Sequence, residues 1–260
     1  MRADVRLITE SMRSSAFGVC GRQSWVMLAL SMAVHVNFLS RFPLLSELPS
    51  DLKERLAGCM TRYALPRRAL ALEKGQGGQG LGFVLDGRLQ GVDFTPDGRE
   101  AGLYFVGPGD YYGELSVVDG REAPEYVVAI AKSEILHLPE AHARALLLTH
   151  PAAATALARR LADRVREGIA QRNVLALPNP LQRLAAQLLA LAREGREVEH
   201  APTHQEIAIM INTTRETVSR NFQVLVSQGV VKRDGERLKI QGEELLRALL
   251  EGRQTGSSAE

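Results

Sequence analysis

The run Thr214-Arg215-Glu216-Thr217-Val218-Ser219-Arg220 puts two arginines and a glutamate on one side of a helical repeat, while Val218, Phe222 and Leu225 fall at i, i+4 and i+7 on the other. An arginine fork can donate in parallel to the O6 and N7 of guanine, and a glutamate can accept from the N4 amino group of cytosine. A good bidentate contact of this kind discriminates between bases by about 1–3 kcal/mol. Arg215, Glu216 and Arg220 are therefore candidate base readers of a DNA duplex. Thr203, Gln205, Thr214 and Thr217 fall near helix N-termini, where hydroxyl, amide and backbone N–H groups hold phosphate oxygens, and His204 and Ser219 join them as phosphate neighbours.

These side chains need two short helices and a turn to present them. Thr203 followed by Glu206 has capping-box spacing and starts the first helix, whose buried side is Ile207, Ala208 and Ile211; Ala208 is small enough for a close helix crossing. Asn212, which tolerates a left-handed backbone, supplies the turn, and Thr213 with Glu216 repeats the capping spacing for the second helix. Val230 and Val231, then Asp234-Gly235, then Leu238 and Ile240 read as a hairpin, on which Lys232 and Arg233 reach flanking phosphates. The whole is a winged helix-turn-helix. Its plainer alternative is an ordinary αα-hairpin with a solvated charged face, and a second functional reading is a ligand-binding signalling module, for a cyclic nucleotide or other small molecule, whose C-terminal domain contacts protein rather than DNA.

The 214–220 run resembles the recognition helix of the cyclic-AMP receptor protein and FNR family of bacterial transcription regulators, and the resemblance continues, more weakly, back to about Phe38. It implies a homodimer that binds double-stranded DNA at an inverted repeat similar to TGTGA-N6-TCACA, with RNA polymerase as a further partner; the sequence itself shows no G-x-S-x-G elbow or P-loop, so no enzymatic activity is expected. One departure is Asn221, where the family has an aliphatic residue under the helix.

Upstream, short apolar segments at Tyr63–Leu65, Gly82–Leu85, Leu89–Val92, Gly102–Phe105 and Tyr126–Ile130 are separated by Asp86-Gly87, Asp97-Gly98, Gly107-Pro108-Gly109 and Asp119-Gly120, the pattern of an antiparallel roll or jelly-roll barrel. This resembles the cyclic-nucleotide-binding fold of the same family. Gly113-Glu114-Leu115-Ser116 looks like the first half of its phosphate-binding cassette, where glycines let backbone amides approach a phosphate and Glu114 can accept from a ribose hydroxyl. The second half departs from it. Cyclic-nucleotide binders place an Arg–Ser or Arg–Thr pair there, whereas this chain has Glu122-Ala123-Pro124-Glu125: Ala123 has no charge, Pro124 has no N–H, and Glu125 would repel a phosphate. Arg121 could substitute only in a rearranged loop. The effector-pocket candidates are thus Gly113, Glu114, Leu115, Ser116, Arg121, Ala123 and Pro124, with the balance against cyclic AMP and no cofactor assigned.

Between these parts, Ala141–Ala176 carries an apolar stripe, Leu146, Ala153, Leu157, Leu161, Val165, Ile169 and Leu175, with Arg159, Arg160, Arg164 and Arg166 interspersed. Two fates are open to this stripe: packing along the chain's own roll, or pairing with a two-fold mate as the family's long helix does. The α+β chain divides into an N-terminal extension (1–37), a sensor β-roll (38–142), a dimerisation helix (143–177), a winged helix-turn-helix (178–254) and a disordered tail (255–260).

Composition fits that division. The 260 residues suffice for two cores, and a net charge of +2 argues for a local basic surface rather than a general polyanion coat. Two cysteines, Cys20 and Cys59, make neither a disulfide framework nor a zinc site, and six histidines show no metal-ligand spacing, so no metal is expected and the reducing cytoplasm is the expected compartment. The apolar run Trp25–Val36 after Arg13 and Arg22 is shorter than the ~20 residues of a membrane span and precedes no small-residue cleavage site. It reads either as an extra helix packed on the roll or as a start codon assigned upstream of Met27 or Met32.

Overall fold

The computed structural model describes residues 28–30, 34–192 and 197–250. The expected tail at 255–260, Cys20, and most of the N-terminal extension lie outside the described residues. Within the apolar run at 25–36, where one reading expected a helix, Leu28–Leu30 is a strand, β1, paired with β2 (Thr61–Leu65). Val34 and Val36 pack against the core of the roll.

A 3-10 turn (Val36–Arg41), α1 (Pro43–Ser46) and α2 (Ser50–Cys59) close one end of the roll. Pro49, rather than Ser50 or Asp51, occupies the N-cap of α2, and Asp51 sits in its first turn, where a carboxylate complements the helix dipole. Two antiparallel sheets follow. One has the order β1-β2-β9-β4-β7, from β4 (Leu81–Asp86), β7 (Tyr111–Tyr112) and β9 (Ser133–Leu138). The other has the order β3-β8-β5-β6, from β3 (Leu70–Leu72), β5 (Leu89–Phe94), β6 (Glu100–Val106) and β8 (Tyr126–Ala129). Leu65, Val84, Leu89, Val106, Val127 and Ile135 fill the space between them.

Each turn read from sequence in the roll has a glycine at positive φ: Gly87 (86°), Gly98 (80°), Gly109 (88°) and Gly120 (70°). At Gly82 the demand is for space instead, since a β-carbon there would stand 2.1 Å from the Tyr112 ring. Strand β9 lies between β2 and β4 and carries no alternation, with Ile135 and Leu136 both fully buried, which is why periodicity did not reveal it.

The expected helix at 143–177 is two helices, α4 (Glu140–Thr149) and α5 (Pro151–Ala176), after the cassette helix α3 (Glu114–Asp119). Pro151 forbids the helical conformation to the residue before it, and His150 accordingly sits at φ −120°, ψ 106°. The stripe then divides between its two candidate fates. Leu146, Ala153 and Leu157 are buried in the roll's lower core with Leu161 packed against it, whereas Val165 and Ile169 are 63% and 56% exposed.

After Leu177-Pro178-Asn179, the C-terminal domain comprises α6 (Pro180–Ala192), β10 (Glu197–Val198), α7 (His204–Met210), α8 (Arg215–Ser227), β11 (Val231–Asp234), β12 (Arg237–Ile240) and α9 (Glu243–Leu250). Asn179 Oδ1 accepts the Leu181 N–H at 2.8 Å and Pro180 stands at the first turn, as the sequence requires of a helix start; the Gln182 side chain instead donates to Leu249 O of α9 at 3.3 Å. Leu184, Leu188, Ile207, Val218, Phe222, Leu225, Leu238 and Leu246 form its separate core.

Candidate nucleic-acid interface and effector cassette

The helix-turn-helix is built as its residues dictate. The Thr203 hydroxyl accepts from the Glu206 N–H and the Glu206 carboxylate accepts from the Thr203 N–H, so both halves of the capping box form. Ala208 is buried at the crossing, and Asn212 turns the chain at φ 47°. The second helix is capped one residue later than its spacing suggested: Thr214, not Thr213, is the N-cap, accepting the Thr217 N–H at 3.2 Å. Glu216 therefore lies in the first turn with its carboxylate free. Val218, Phe222 and Leu225 bury one face of α8, which leaves Arg215, Glu216 and Arg220 exposed on the other with no hydrogen bond or ion pair among the described residues.

Other expected contacts sort by what already holds them. Gln205 and Lys232 are exposed, and Thr217 is half-buried beside its cap. His204 Nδ1 lies 2.9 Å from Ser219 Oγ and its ring packs 4.7 Å from the Phe222 ring, so these two side chains join α7 to α8. Arg233 departs from its expected phosphate role. Its guanidinium donates to Pro202 O at 2.8 Å and Ala201 O at 3.0 Å, and its Nε donates to Gly235 O at 3.2 Å, pinning the hairpin to the loop before α7. A cation already spent on three carbonyls is a strut of the wing. The wing turns through Gly235 at φ 56°, with Asp234 opposite Arg237, and β10 adds a third strand beyond β12.

In the roll, Gly113 caps α3 at φ 89°, where a β-carbon would stand 2.4 Å from Gly80 O; no other residue fits. Glu114 and Ser116 are buried, the Ser116 hydroxyl donating to Gly113 O at 3.2 Å. Three of the pocket candidates are misplaced for a ligand in the roll. Leu115 is 42% exposed, Pro124 is exposed, and Arg121 extends into solvent beside Asp119. Ala123 is buried in the apolar core.

Two of the groups that meet Glu114 at the cassette, Arg164 and Tyr104, were not singled out by sequence as part of it. Arg164 of α5 reaches in so that its Nε lies 3.6 Å from Glu114 Oε1 and its guanidinium stacks 3.7 Å from the Tyr104 ring centroid. Tyr104 donates to Glu125 Oε1 at 2.9 Å, so the carboxylate expected to repel a phosphate is buried and bonded. One turn earlier Arg160 pairs with Asp110 and, at 3.1 Å, with Glu167. Burial pushes the Glu114 carboxyl above the usual carboxylate range, and the Arg164 charge opposes that push. The available signal was the i, i+4 spacing of Arg160 and Arg164, which places both on one side of α5.

A roll of two antiparallel sheets, a long helix and a winged helix-turn-helix with an open, unpaired reading face define a DNA-binding regulator with a cyclic-nucleotide-binding-type domain. Residues 64–150 match the family model for the cyclic nucleotide-binding domain and residues 182–249 that for the Crp-like helix-turn-helix domain. The chain is 33% identical over 171 residues to the cyclic AMP receptor protein of Thermus thermophilus, an alignment spanning 66% of this chain and 79% of that one. It is 29% identical over 188 residues to the CRP-like cAMP-activated global transcriptional regulator of Mycobacterium tuberculosis, spanning 70% and 84%. In fold it resembles FixK2 from Bradyrhizobium japonicum, with a TM-score of 0.65 at 19% identity over 73% of this chain and 96% of that chain. The chain belongs to the CRP/FNR family of transcription regulators, whose members are not enzymes.

His204 makes the motif sensitive to acid. Burial first, and then the Arg233 and Arg215 charges, lower its pKa below the ordinary 6.5, so the unfolded chain takes up a proton before the folded one as pH falls. Its contribution to stability is complete above the unfolded value and is lost as pH drops below it. Between about pH 7 and about pH 5, chemical denaturation should show stability of the wild type falling more steeply than that of His204→Gln; parallel curves would contradict this.

Proposed function

We propose that the protein is a homodimer reading an inverted-repeat operator similar to TGTGA-N6-TCACA, with Arg215, Glu216 and Arg220 on base edges and Lys232, Gln205 and the helix N-termini on phosphates. The supporting observation is that the three readers stand exposed and unpaired opposite a buried face of the same helix. Arginines that made a protein-contact domain of this unit would be expected in internal ion pairs, as Arg160 is.

Two copies are required because one recognition helix covers one half-site. Two-fold related helices entering successive major grooves about 34 Å apart specify an inverted repeat. The exposed end of α5 supplies the seam: Ala158, Ala162, Val165, Ile169 and Ala176 follow alternating four- and three-residue steps with Arg172 between the last two, the spacing of a parallel coiled coil. Among the described residues no helix is long and apolar enough to cross a membrane. As a DNA reader the protein is proposed to work in the cytoplasm, with RNA polymerase as a further proposed partner.

The effector is a separate matter. The two sequence relatives described above are named for cyclic AMP, but here none of the cassette residues expected to hold a phosphate brings a cation to it, and the arginine that arrives, Arg164, already faces Glu114. We propose operator binding that does not depend on cyclic AMP.

In fluorescence-anisotropy titrations, Arg215→Ala should raise Kd for the inverted repeat about tenfold or more with little change on a scrambled duplex, while Lys232→Ala weakens both and lowers the salt slope by about one. Millimolar cyclic AMP should leave the wild-type Kd unchanged. Equal, small effects of both substitutions on both duplexes would overturn the reading of α8. In analytical ultracentrifugation Ile169→Asp should shift the dimer to monomer with the unfolding temperature retained; an unshifted dimer would place the interface elsewhere.

A further inference from the structure

We propose that Arg67 and Glu206 form a latch that seats the helix-turn-helix on its own β-roll, and that the seated arrangement is the one that binds the operator; the second half rests on the DNA reading above. Glu206 serves two masters. One carboxylate oxygen takes the Thr203 N–H in the capping box of α7, and the other takes the Arg67 guanidinium from the loop after β2. The Arg67 side chain is 48% exposed and that of Glu206 only 10%, so the pair is shielded from one side.

Five further contacts complete the seam. Met210 packs flat on β6 at Gly102, where a β-carbon would stand 2.6 Å from its sulfur and 3.0 Å from its Cα. Gln90 Nε2 lies 3.5 Å from Glu206 O in a buried contact, and Gln171 Nε2 of α5 donates to Met210 O at 2.6 Å. On the flank, His200 stands between Asp86 of the roll, at 3.1 Å, and Glu236 of the wing turn, at 3.2 Å. Phe105 of β6 packs into the core of the DNA-binding domain.

Two features argue for preorganisation rather than masking. The seam uses α7, while the reading face of α8 stays open. It also shares its supports with the cassette: α5 carries Arg164 against Glu114 and, seven residues on, Gln171 against α7, and β6 carries Tyr104 under Arg164 and Gly102 under Met210. A hinge of Leu177-Pro178-Asn179 alone would leave two reading heads to be ordered at the moment of binding, and a latch meets that entropic cost beforehand. At the start of β6, desolvation first and then the Glu206 charge push the Glu100 carboxyl upward.

The full-length chain tests this with Arg67→Ala and with Gly102→Ala, which wedges the seam without changing charge. Both should keep the wild-type unfolding temperature within a few degrees, speed amide hydrogen exchange across 100–106 and 204–211 several-fold, and raise Kd for the inverted repeat about three- to tenfold while leaving a single half-site duplex within about twofold. Unchanged exchange would overturn the latch. Faster exchange with unchanged or tighter operator binding would overturn its role in preorganisation, and an equal loss on half-site and full-site duplexes would reassign Arg67 to a phosphate contact. A wild type with a protected seam and no preference among duplexes would sink the DNA reading, and with it that role, while leaving the docking intact.

Discussion

The contact of α5 with the floor of the roll, Arg160 on Asp110 and Arg164 between Glu114 and Tyr104, sets the position of everything that follows it in the chain. Guanidinium and carboxylate taken out of water together are costly to separate, because each would leave a buried charge behind. The long helix is therefore fixed on the roll along its first half, while its second half leaves Val165 and Ile169 exposed and meets the DNA-binding domain through Gln171. From that division come an apolar strip without a partner among the described residues, a hinge at a stated place, and a DNA-binding domain carried by the helix and seated against the roll.

The same contact is what the proposed independence from cyclic AMP rests on. The phosphate of a cyclic nucleotide needs a cation, and the sequence offers Ala123 and Pro124 where the cation and its companion would stand. Glu125, which looked like a further repulsive charge, is satisfied by Tyr104 and so belongs to the fabric of the roll. An anion entering there would have to displace Arg164 from Glu114 and leave that carboxylate buried and alone.

Legibility in the sequence followed the range of the interactions. The helix-turn-helix was readable almost residue by residue because capping boxes, a turn Asn and an i, i+4, i+7 stripe are local; only the cap of α8 was displaced, since Thr213 and Thr214 are equally able acceptors and the backbone chose. The turns of the roll were equally plain from Asp-Gly pairs. Strand β9 escaped because a central strand buried on both faces shows no alternation, and the break between α4 and α5 escaped because helical composition continues across Pro151. The cassette was half read: Gly113 and Glu114 are local signals, whereas Arg164 comes from 50 residues downstream of Glu114 and only the fold brings it there. Arg233 misled for a similar reason, since an arginine on a wing advertises phosphate until its three carbonyl partners are seen.

The most direct test of the central claim is selection of bound duplexes from a random pool by the purified full-length chain at moderate ionic strength. An outward, unpaired set of Arg215, Glu216 and Arg220 on a two-fold dimer predicts enrichment of an inverted repeat with G·C pairs in each half-site and half-site centres about one helical turn apart. A pool that emerges without a shared sequence would contradict it.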